Sequence, residues 1–321
     1  MKQGKGMGIL EAFKLSWPIT LVWLAFFYGC APIAKEDLSQ VDEKEEHRTA
    51  PTKEDSQPEA PTAPEDPPKK ASTRSYSTEI LKGQDFRHPT LHFEMVWMPP
   101  GNFLIGSNDK NAPANEKSGS LVSITKGFWL ARKETSQELY EAVMQENPSD
   151  FKGAQRPVEN LAYFEASDFC EKLTRFEQSQ GRLPSTFRYH LPTEAQWEFA
   201  AKGGAEAQKL EFPTIDKTAW HKGNSTAGPA QPGKKTPHPL GFYDIFGNVA
   251  ELCFGRAAPL PSTSQKDWIG PQDGDFCVAR GGSWFSPPVE CNATKRMEVL
   301  PTSRMSTVGF RLALGSALAG R

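Results

Sequence analysis

The composition of the chain changes abruptly near residue 75, and this change limits where a folded core can form. From Ala31 to about Ser75 the sequence consists largely of charged, proline and small polar residues, as in KEDLSQVDEKEEHRTAPTKEDSQPEAPTAPEDPPKK. Such a segment has too few apolar side chains to form a core, so we expect a disordered, solvated tether with a reach of roughly 40 Å. The fold is therefore expected in residues 76–321, with its core from about 92 to 314.

Residues 1–30 have the pattern of an export signal. Three lysines flank an apolar stretch, 15–28, that is too short to span a bilayer but suits a signal-peptide core. Cys30 directly follows Gly29, which resembles a bacterial lipoprotein cleavage site with Cys30 as the lipidated residue. Ala31, in place of aspartate, favours the outer membrane. An ordinary signal peptide and an uncleaved anchor are the alternatives, and all three predict an exported protein.

The overall composition excludes one class of partner and indicates a loop-rich domain. The chain has 37 basic and 39 acidic residues and a formal charge of -2, so it offers no electrostatic footprint for nucleic acid. Its 27 prolines, 26 glycines and eight tryptophans are typical of irregular loops held in place by aromatic side chains.

Local patterns predict three helices and a strand pair within the core. FEMVWMPPGNFLIG shows strand-like alternation broken by a Pro-Gly turn. The first helix is expected to begin at Thr135 or Ser136, and the third to begin at Thr193 and end at Gly203-Gly204. The second helix has an apolar face at helical spacing, formed by Ala166, Phe169, Cys170 and Leu173.

Seven segments between Glu94 and Leu314 together resemble the sulfatase-modifying-factor family, whose founding member is the formylglycine-generating enzyme. They are MVWMPPGNFLIGS, GFWLARKETSQELYEAVM, NPSDFKGAQRPVENLAYFEASDFCEKL, RYHLPTEAQWEFAAKGG, GFYDIFGNVAEL, RGGSW and VGFRLAL. The resemblance implies an α+β fold with little regular secondary structure, related in topology to C-type lectins. This scaffold carries oxidases, binding proteins and structural proteins, so the fold leaves the function open.

In the enzyme of this family, two cysteines that follow the Gly-Gly-Ser-aromatic motif bind Cu(I) and activate oxygen. Counted from Trp284, the first of these positions is Ser286 and the second is Cys291. A neutral serine hydroxyl cannot replace a soft thiolate on Cu(I). Cys291 is therefore a catalytic candidate only if another cysteine, such as Cys277, reaches it in space.

The resemblance also implies a structural role for Cys291. Many non-catalytic members of the family carry a cysteine after the Gly-Asn-Val-x-Glu motif together with one after Gly-Gly-Ser-Trp. Here these residues are Cys253 and Cys291, which we predict to form a disulfide in an oxidising compartment. Buried free thiols are the alternative.

A structural calcium site is implied in GFYDIFGNVAEL. The matching ligands are the side chains of Asp244 and Glu251 and the carbonyls of Gly247 and Val249. Carboxylates and carbonyls around a tight turn suit Ca²⁺. The alternative is that the two carboxylates cap turns and pair with nearby basic residues.

The function is expected to be display rather than catalysis. The leading hypothesis is a lipid-anchored envelope protein whose domain binds a protein or peptide partner. A possible groove is formed by Arg280, Ser283 and Trp284, although stacking of arginines on aromatic rings would be a structural role. The alternatives are a copper-dependent formylglycine-generating oxidase acting on sulfatase-type proteins and a calcium-dependent, lectin-like glycan binder.

Overall fold

The computed structural model describes residues 83–117, 120–225 and 227–318. The predicted signal segment, the lipidation residue Cys30 and the predicted tether lie outside these ranges. None of the helices in these ranges has both the length and the apolar character needed to cross a membrane. The helices are α1 (Gln137–Met144), α2 (Tyr163–Ser179), α3 (Glu194–Ala201) and α4 (Ile215–Thr218).

The described strands form three sheets. The five-stranded sheet has the order β1 (Phe86–Arg87), β2 (Glu94–Met98), β5 (Phe128–Ala131), β12 (Ala313–Ser316) and β6 (Phe187–His190). The four-stranded sheet has the order β10 (Arg296–Val299), β9 (Cys277–Arg280), β7 (Ala250–Leu252) and β11 (Val308–Gly309). The three-stranded sheet has the order β3 (Gly101–Leu104), β4 (Leu121–Ile124) and β8 (Gln265–Lys266).

Strand β5 lies inside the five-stranded sheet, and all four of its side chains are buried. Because successive strand residues point to opposite faces, β5 contributes to two hydrophobic clusters. Trp129 and Ala131 pack with α1 and α2 in one cluster, whereas Phe128 and Leu130 pack with α3 in the other. The sheet is therefore a layer with a hydrophobic core on each side.

The predicted helix starts are confirmed by their capping geometry. The Ser136 hydroxyl accepts a hydrogen bond from the Leu139 amide at 3.2 Å and begins α1. Thr193 begins α3 with a reciprocal capping box, in which its hydroxyl accepts from the Gln196 amide. Helix α3 ends at Ala201, two residues before Gly203 adopts a left-handed φ of 100°.

The predicted apolar face of α2 is buried, and FEMVWMPPGNFLIG forms β2 and β3 on either side of the Pro-Gly turn. These two strands belong to different sheets rather than to one hairpin. Short strands, short helices and long loops give the α+β fold with little regular secondary structure that we expected.

Candidate functional site

The RGGSW segment begins with Arg280, the last residue of β9, and its two glycines form a tight turn against the loop that contains Cys291. Gly281 and Gly282 have positive φ values of 89° and 74°. A Cβ atom on Gly282 would lie 2.9 Å from the Glu290 carbonyl oxygen and 3.1 Å from Cys291 Sγ. Glycine is therefore required here both for the backbone conformation and for the close approach of the two loops.

The two positions that match the copper cysteines lie around the same residue, Ser283. The Ser286 hydroxyl oxygen is 3.1 Å from the Ser283 amide nitrogen and 3.2 Å from the Ser283 hydroxyl oxygen. Cys291 Sγ lies 3.9 Å from the Ser283 carbonyl and 3.8 Å from the Pro287 carbonyl. Both positions thus contact Ser283, one through a hydroxyl and the other through a sulfur.

The environment of the Cys291 thiol disfavours its thiolate form. Its side chain is buried, and burial, together with the nearby Glu290 carboxylate, raises the pKa of the Cys291 thiol to about 12. At neutral pH the metal-free sulfur is therefore protonated and a poor nucleophile, and a metal that bound it would have to displace the proton.

The predicted disulfide between Cys253 and Cys291 is not formed in the structure, in which both residues are buried thiols. The Cys253 sulfur packs in the α3 core 3.7 Å from the Glu251 carbonyl, whereas the Cys291 sulfur faces the Ser283 loop. Cys277 Sγ lies 2.9 Å from Arg256 Nη1, so its closest polar contact is a guanidinium.

Arg280 does not line a groove, because its side chain is fully buried. Its guanidinium donates to Glu194 at 2.6 Å and to Glu198 at 2.5 Å. Arg296 donates to the other oxygen of Glu194 at 2.9 Å. We refer to Glu194, Glu198, Arg280 and Arg296 as the balanced cluster, because two carboxylates meet two guanidiniums. The Arg280 guanidinium also lies over the Trp197 ring, 5.3 Å from its centroid, so its contacts are those of a structural residue.

Of the other two predicted groove residues, Ser283 is buried and Trp284 is half-buried. The Trp284 indole donates to the Ser306 carbonyl at 3.1 Å, and its ring contacts Phe151 and Phe285 edge-on. Phe285 is 57% exposed and Val289 is 79% exposed. Both residues, which the sequence did not single out, therefore expose apolar area close in the chain to Ser283 and Cys291.

The carboxylates predicted to bind calcium face different partners. Both oxygens of Glu251 accept from Arg311 at 2.6 Å, and one also accepts from the Trp197 indole at 2.7 Å. Asp244 Oδ2 instead accepts from the Gly233 amide at 2.7 Å. The Glu251 carboxylate is thus already neutralised by an internal guanidinium.

The residues present do not fit the implied calcium site. Ca²⁺ takes six to eight oxygen ligands, and Glu251 already accepts hydrogen bonds from three nitrogen atoms. Within the described ranges, no group of three or more His, Cys, Asp or Glu side chains could hold a metal ion. Calcium binding by Asp244 and Glu251 stays a prediction.

Glu134 joins this region, and sequence reasoning missed it. Its carboxylate accepts from the Val249 amide at 3.0 Å and from the Asn248 amide group at 2.6 Å. Burial, followed by the charges of Asp244 and Glu251, raises the pKa of Glu134 well above its usual value. We refer to Glu134, Asp244, Glu251 and Arg311 as the acidic cluster. No sequence signal indicated Glu134, because it precedes a helix in a polar turn that resembles a solvated cap.

The comparisons with known proteins agree with this architecture. The family described as "Sulfatase-modifying factor enzyme 1-like domain" matches residues 84–315. The solved structure of Treponema denticola variable protein 1 has a TM-score of 0.63 and 29% identity, and the match covers 72% of this chain and 98% of that chain.

Relatives by sequence have differing names. The chaperone protein LppX of Paenibacillus barcinonensis is 28% identical over 204 residues, which are 50% of this chain and 70% of that protein. The formylglycine-generating enzyme of Thermomonospora curvata is 29% identical over 147 residues, 38% of this chain and 48% of that protein. The inactive C-alpha-formylglycine-generating enzyme 2 of Bos taurus is 30% identical over 150 residues, 39% of this chain and 44% of that protein.

The match to these two formylglycine proteins thus spans less than half of their length. The family match, by contrast, includes every strand and helix described above except the end of β12. From its fold, its RGGSW turn and this match, the chain belongs to the sulfatase-modifying factor enzyme 1-like family.

Proposed function

We propose that this protein is a lipid-anchored envelope protein whose domain binds a protein partner and does not oxidise cysteine. The observation that carries the proposal is the pair of positions around Ser283. One holds a serine, which cannot be a thiolate, and the other holds a buried, protonated cysteine. The site therefore offers Cu(I) at most one sulfur, and one sulfur is a poor site for an ion that prefers two thiolates.

The surface next to this pair supports binding to a partner. Phe285 and Val289 are large apolar side chains exposed to solvent, and Lys222 lies over the Phe285 ring at 5.1 Å. Exposed apolar patches are typical of interaction sites, and these two side chains lie four residues apart in the chain. The relative of which the chain covers 70% is named a chaperone protein, which is consistent with a partner made of polypeptide.

Oxidase activity is tested directly on the full-length protein. The protein is incubated with Cu(I), oxygen, a thiol reductant and a Cys-x-Pro-x-Arg peptide, and the peptide is read by mass spectrometry. We expect an unchanged cysteine, while the Thermomonospora curvata enzyme converts it to an aldehyde under the same conditions. Conversion by this protein would overturn the proposal in favour of an oxidase.

A gain-of-ligand variant examines the reason for the expected inactivity. Ser286→Cys places a second sulfur beside Ser283, so we expect Cu(I) to bind more tightly than it binds the wild type, measured by competition with a chromogenic chelator. The double variant Ser286→Cys/Cys291→Ser is the matched control with one sulfur at the site. Equal Cu(I) affinity for the wild type and Ser286→Cys would show that the missing sulfur is not what limits the site.

The anchor is tested at Cys30. We expect cells that express the full-length protein to incorporate labelled palmitate into it and the protein to fractionate with membranes. Cys30→Ser should abolish the label, because the acylated thiol is removed. Absence of label from the wild-type protein would contradict the proposed lipid anchor. It would not bear on the proposal that the folded domain binds a protein partner.

A further inference from the structure

A cleft of about 610 Å³ lies between the turn that joins β1 to β2 and the start of α1. Sites for small ligands and peptide segments have volumes of about 300–1,000 Å³, so this cleft is large enough to hold one. Residues 90–93 of the turn form one wall, and α1 with the chain that precedes it forms the other. The lining includes Arg87, Leu91, Lys133, Glu138, Leu139 and Leu312.

Both walls of the cleft are held in place by internal contacts. The His88 amide donates to the Phe93 carbonyl at 2.8 Å, and the two rings stack with their centroids 4.7 Å apart. His88 Nδ1 also accepts from the Leu91 amide at 3.1 Å, which closes the turn. On the opposite wall the Ser136 hydroxyl caps α1. Because the cleft is formed in advance, a ligand need not pay for ordering its walls.

The floor of the cleft is apolar. Ala131, Leu139 and Leu312 line it and are buried in the hydrophobic cluster that packs with α1 and α2. Leu91 and Phe93 are half-buried and pack against the same cluster. A ligand in the cleft therefore meets aliphatic and aromatic carbon on its inner side.

The titratable side chains around the cleft are mostly engaged already. They are Arg87, His92, Glu94, Arg132, Lys133, Glu134 and Glu138. Arg132 pairs with Glu94 at 2.8 Å and with Asp85 at 3.2 Å. Glu134 is buried and accepts from the amide groups of residues 248 and 249. Glu138 accepts from the Gln155 side-chain amide.

Two cations, Arg87 and Lys133, remain available at the rim. Both are exposed, and neither forms an ion pair with any carboxylate in the described part of the chain. Arg87 Nε is 3.4 Å from the His92 carbonyl oxygen, and Lys133 lies over the Tyr243 ring. Strand β2 lies between β1, which carries Arg87, and β5, which ends two residues before Lys133. Their backbones are therefore about 10 Å apart.

We propose that this cleft binds an extended segment of a partner polypeptide in which apolar and acidic residues alternate. Successive side chains of an extended chain point to opposite sides, and residues two positions apart are separated by about 7 Å. The apolar side chains pack on the floor, while the carboxylates accept charge-assisted hydrogen bonds from Arg87 and Lys133. A single small anion fills neither the apolar floor nor the space between the two cations.

The proposal concerns a surface other than the one beside Ser283, and it goes beyond the proposed function without depending on it. It is tested by isothermal titration of the full-length protein at pH 7.5 with the peptide acetyl-Leu-Glu-Val-Glu-Leu-amide. We expect saturable binding, and at least fivefold weaker binding of acetyl-Leu-Gln-Val-Gln-Leu-amide, which has the same shape and no charge. Equal affinity for the two peptides, or no saturable binding of the glutamate peptide, would overturn the proposal.

A charge-matched pair of variants locates the cations. Arg87→Gln/Lys133→Gln should weaken binding of the glutamate peptide at least tenfold, because both carboxylates lose their partners. Lys172→Gln/Arg188→Gln also removes two exposed cations, but neither residue lines the cleft, so this control should bind the peptide as the wild type does. Equal weakening in the two double variants would mean that overall charge attracts the peptide, and the proposal would fail.

A further variant keeps both cations and fills the cleft. Ala142 lies exposed on α1 and lines the cleft, so Ala142→Trp should abolish binding of the glutamate peptide. Phe176→Trp, at an exposed position on α2 outside the lining, should leave it unchanged. Retained binding in Ala142→Trp would place the peptide elsewhere and contradict the proposal.

Sodium phosphate distinguishes a peptide site from a site for small anions. We expect phosphate at 10 mM to leave the affinity for the glutamate peptide within twofold of its value without phosphate. If phosphate instead binds the wild type as tightly as the peptide does, and loses this affinity in Arg87→Gln/Lys133→Gln, the cleft holds a small anion and the proposal is wrong.

Discussion

The balanced cluster and the acidic cluster lie side by side and treat buried charge differently. Trp197 separates them, because the Arg280 guanidinium lies 5.3 Å from the Trp197 ring centroid and the Trp197 indole donates to Glu251. In the balanced cluster two carboxylates meet two guanidiniums, and Lys202 also pairs with Glu198 at 2.6 Å. Arg280 Nε is the one side-chain nitrogen of this cluster that lacks a hydrogen-bond partner among the described residues. In the acidic cluster three carboxylates meet Arg311 alone, and Asp244 keeps a buried oxygen without a partner among the described residues.

This difference separates a cluster that holds the fold together from one that costs it free energy. A buried ionic network with every member paired holds distant segments in one arrangement. The balanced cluster does this for α3, β9 and β10. A network with an unpaired charge is costly in the free protein. The acidic cluster therefore lowers the stability of the folded protein, whereas the ion pairs of the balanced cluster offset the cost of burying its charges.

The largest expected effect is at the centre of the balanced cluster. Arg280→Met removes the partner that Glu194 and Glu198 share, and leaving buried carboxylates without a partner costs about 3–5 kcal/mol. Urea denaturation should show this loss in the free energy of unfolding.

Arg304→Met is the matched control, because Arg304 forms a partly exposed ion pair with Glu165 and exposed pairs contribute about 0–1 kcal/mol. If both variants lose the same free energy, Arg296 and Lys202 suffice to neutralise Glu194 and Glu198, and the description of Arg280 as the central partner is wrong.

A substitution in the acidic cluster should increase the free energy of unfolding, whereas Arg280→Met decreases it. Burial, as the largest cause, raises the pKa of Asp244 from 3.8 to about 6. A raised carboxyl pKa contributes stability below the unfolded pKa that is lost as the pH rises through the folded pKa. Asp244→Asn should therefore increase the free energy of unfolding at pH 7.5 by up to about 3 kcal/mol.

The pH dependence distinguishes this explanation from a change in packing. The gain from Asp244→Asn should shrink as the pH falls from about 6 to about 4 and disappear below that, because wild-type Asp244 is then neutral too. Denaturation curves at pH 4, 6 and 7.5 measure this. A gain that is the same at all three values would mean that the unpaired charge is not its cause.

A smaller effect is expected at the helix that supplies both glutamates of the balanced cluster. Thr193→Ala removes the capping hydroxyl of α3 and should cost about 1 kcal/mol. Thr214→Ala is the control, since Thr214 begins α4 without a side-chain cap and should change the free energy of unfolding by less than about 0.5 kcal/mol. An equal loss in the free energy of unfolding for the two variants would show that the Thr193 hydroxyl does not stabilise α3.

Sequence reasoning predicted the features that depend on neighbouring residues. The caps at Ser136 and Thr193, the buried face of α2 and the break between β2 and β3 all follow from local spacing. The resemblance also indicated that positions 286 and 291 belong to one site, and the structure places both around Ser283.

The acidic cluster could not be predicted in this way. Its members come from positions 134, 244, 251 and 311, and only the fold brings these segments together. Glu251 was assigned to calcium because nothing in its neighbourhood shows that Arg311 would reach it. The local sequence likewise does not show whether Arg280 lines a groove or has a structural role, because its carboxylate partners lie more than 80 residues away.

The position of β5 also has a consequence for how the domain loses its structure. Each of its four residues is buried, two in each hydrophobic cluster. Unfolding of either cluster therefore requires β5 to leave the sheet, which also disrupts the other cluster. The two halves of the interior are therefore tied to a single melting event. Calorimetry on this domain should record one heat-absorption peak, with no separate melting of the α3 side.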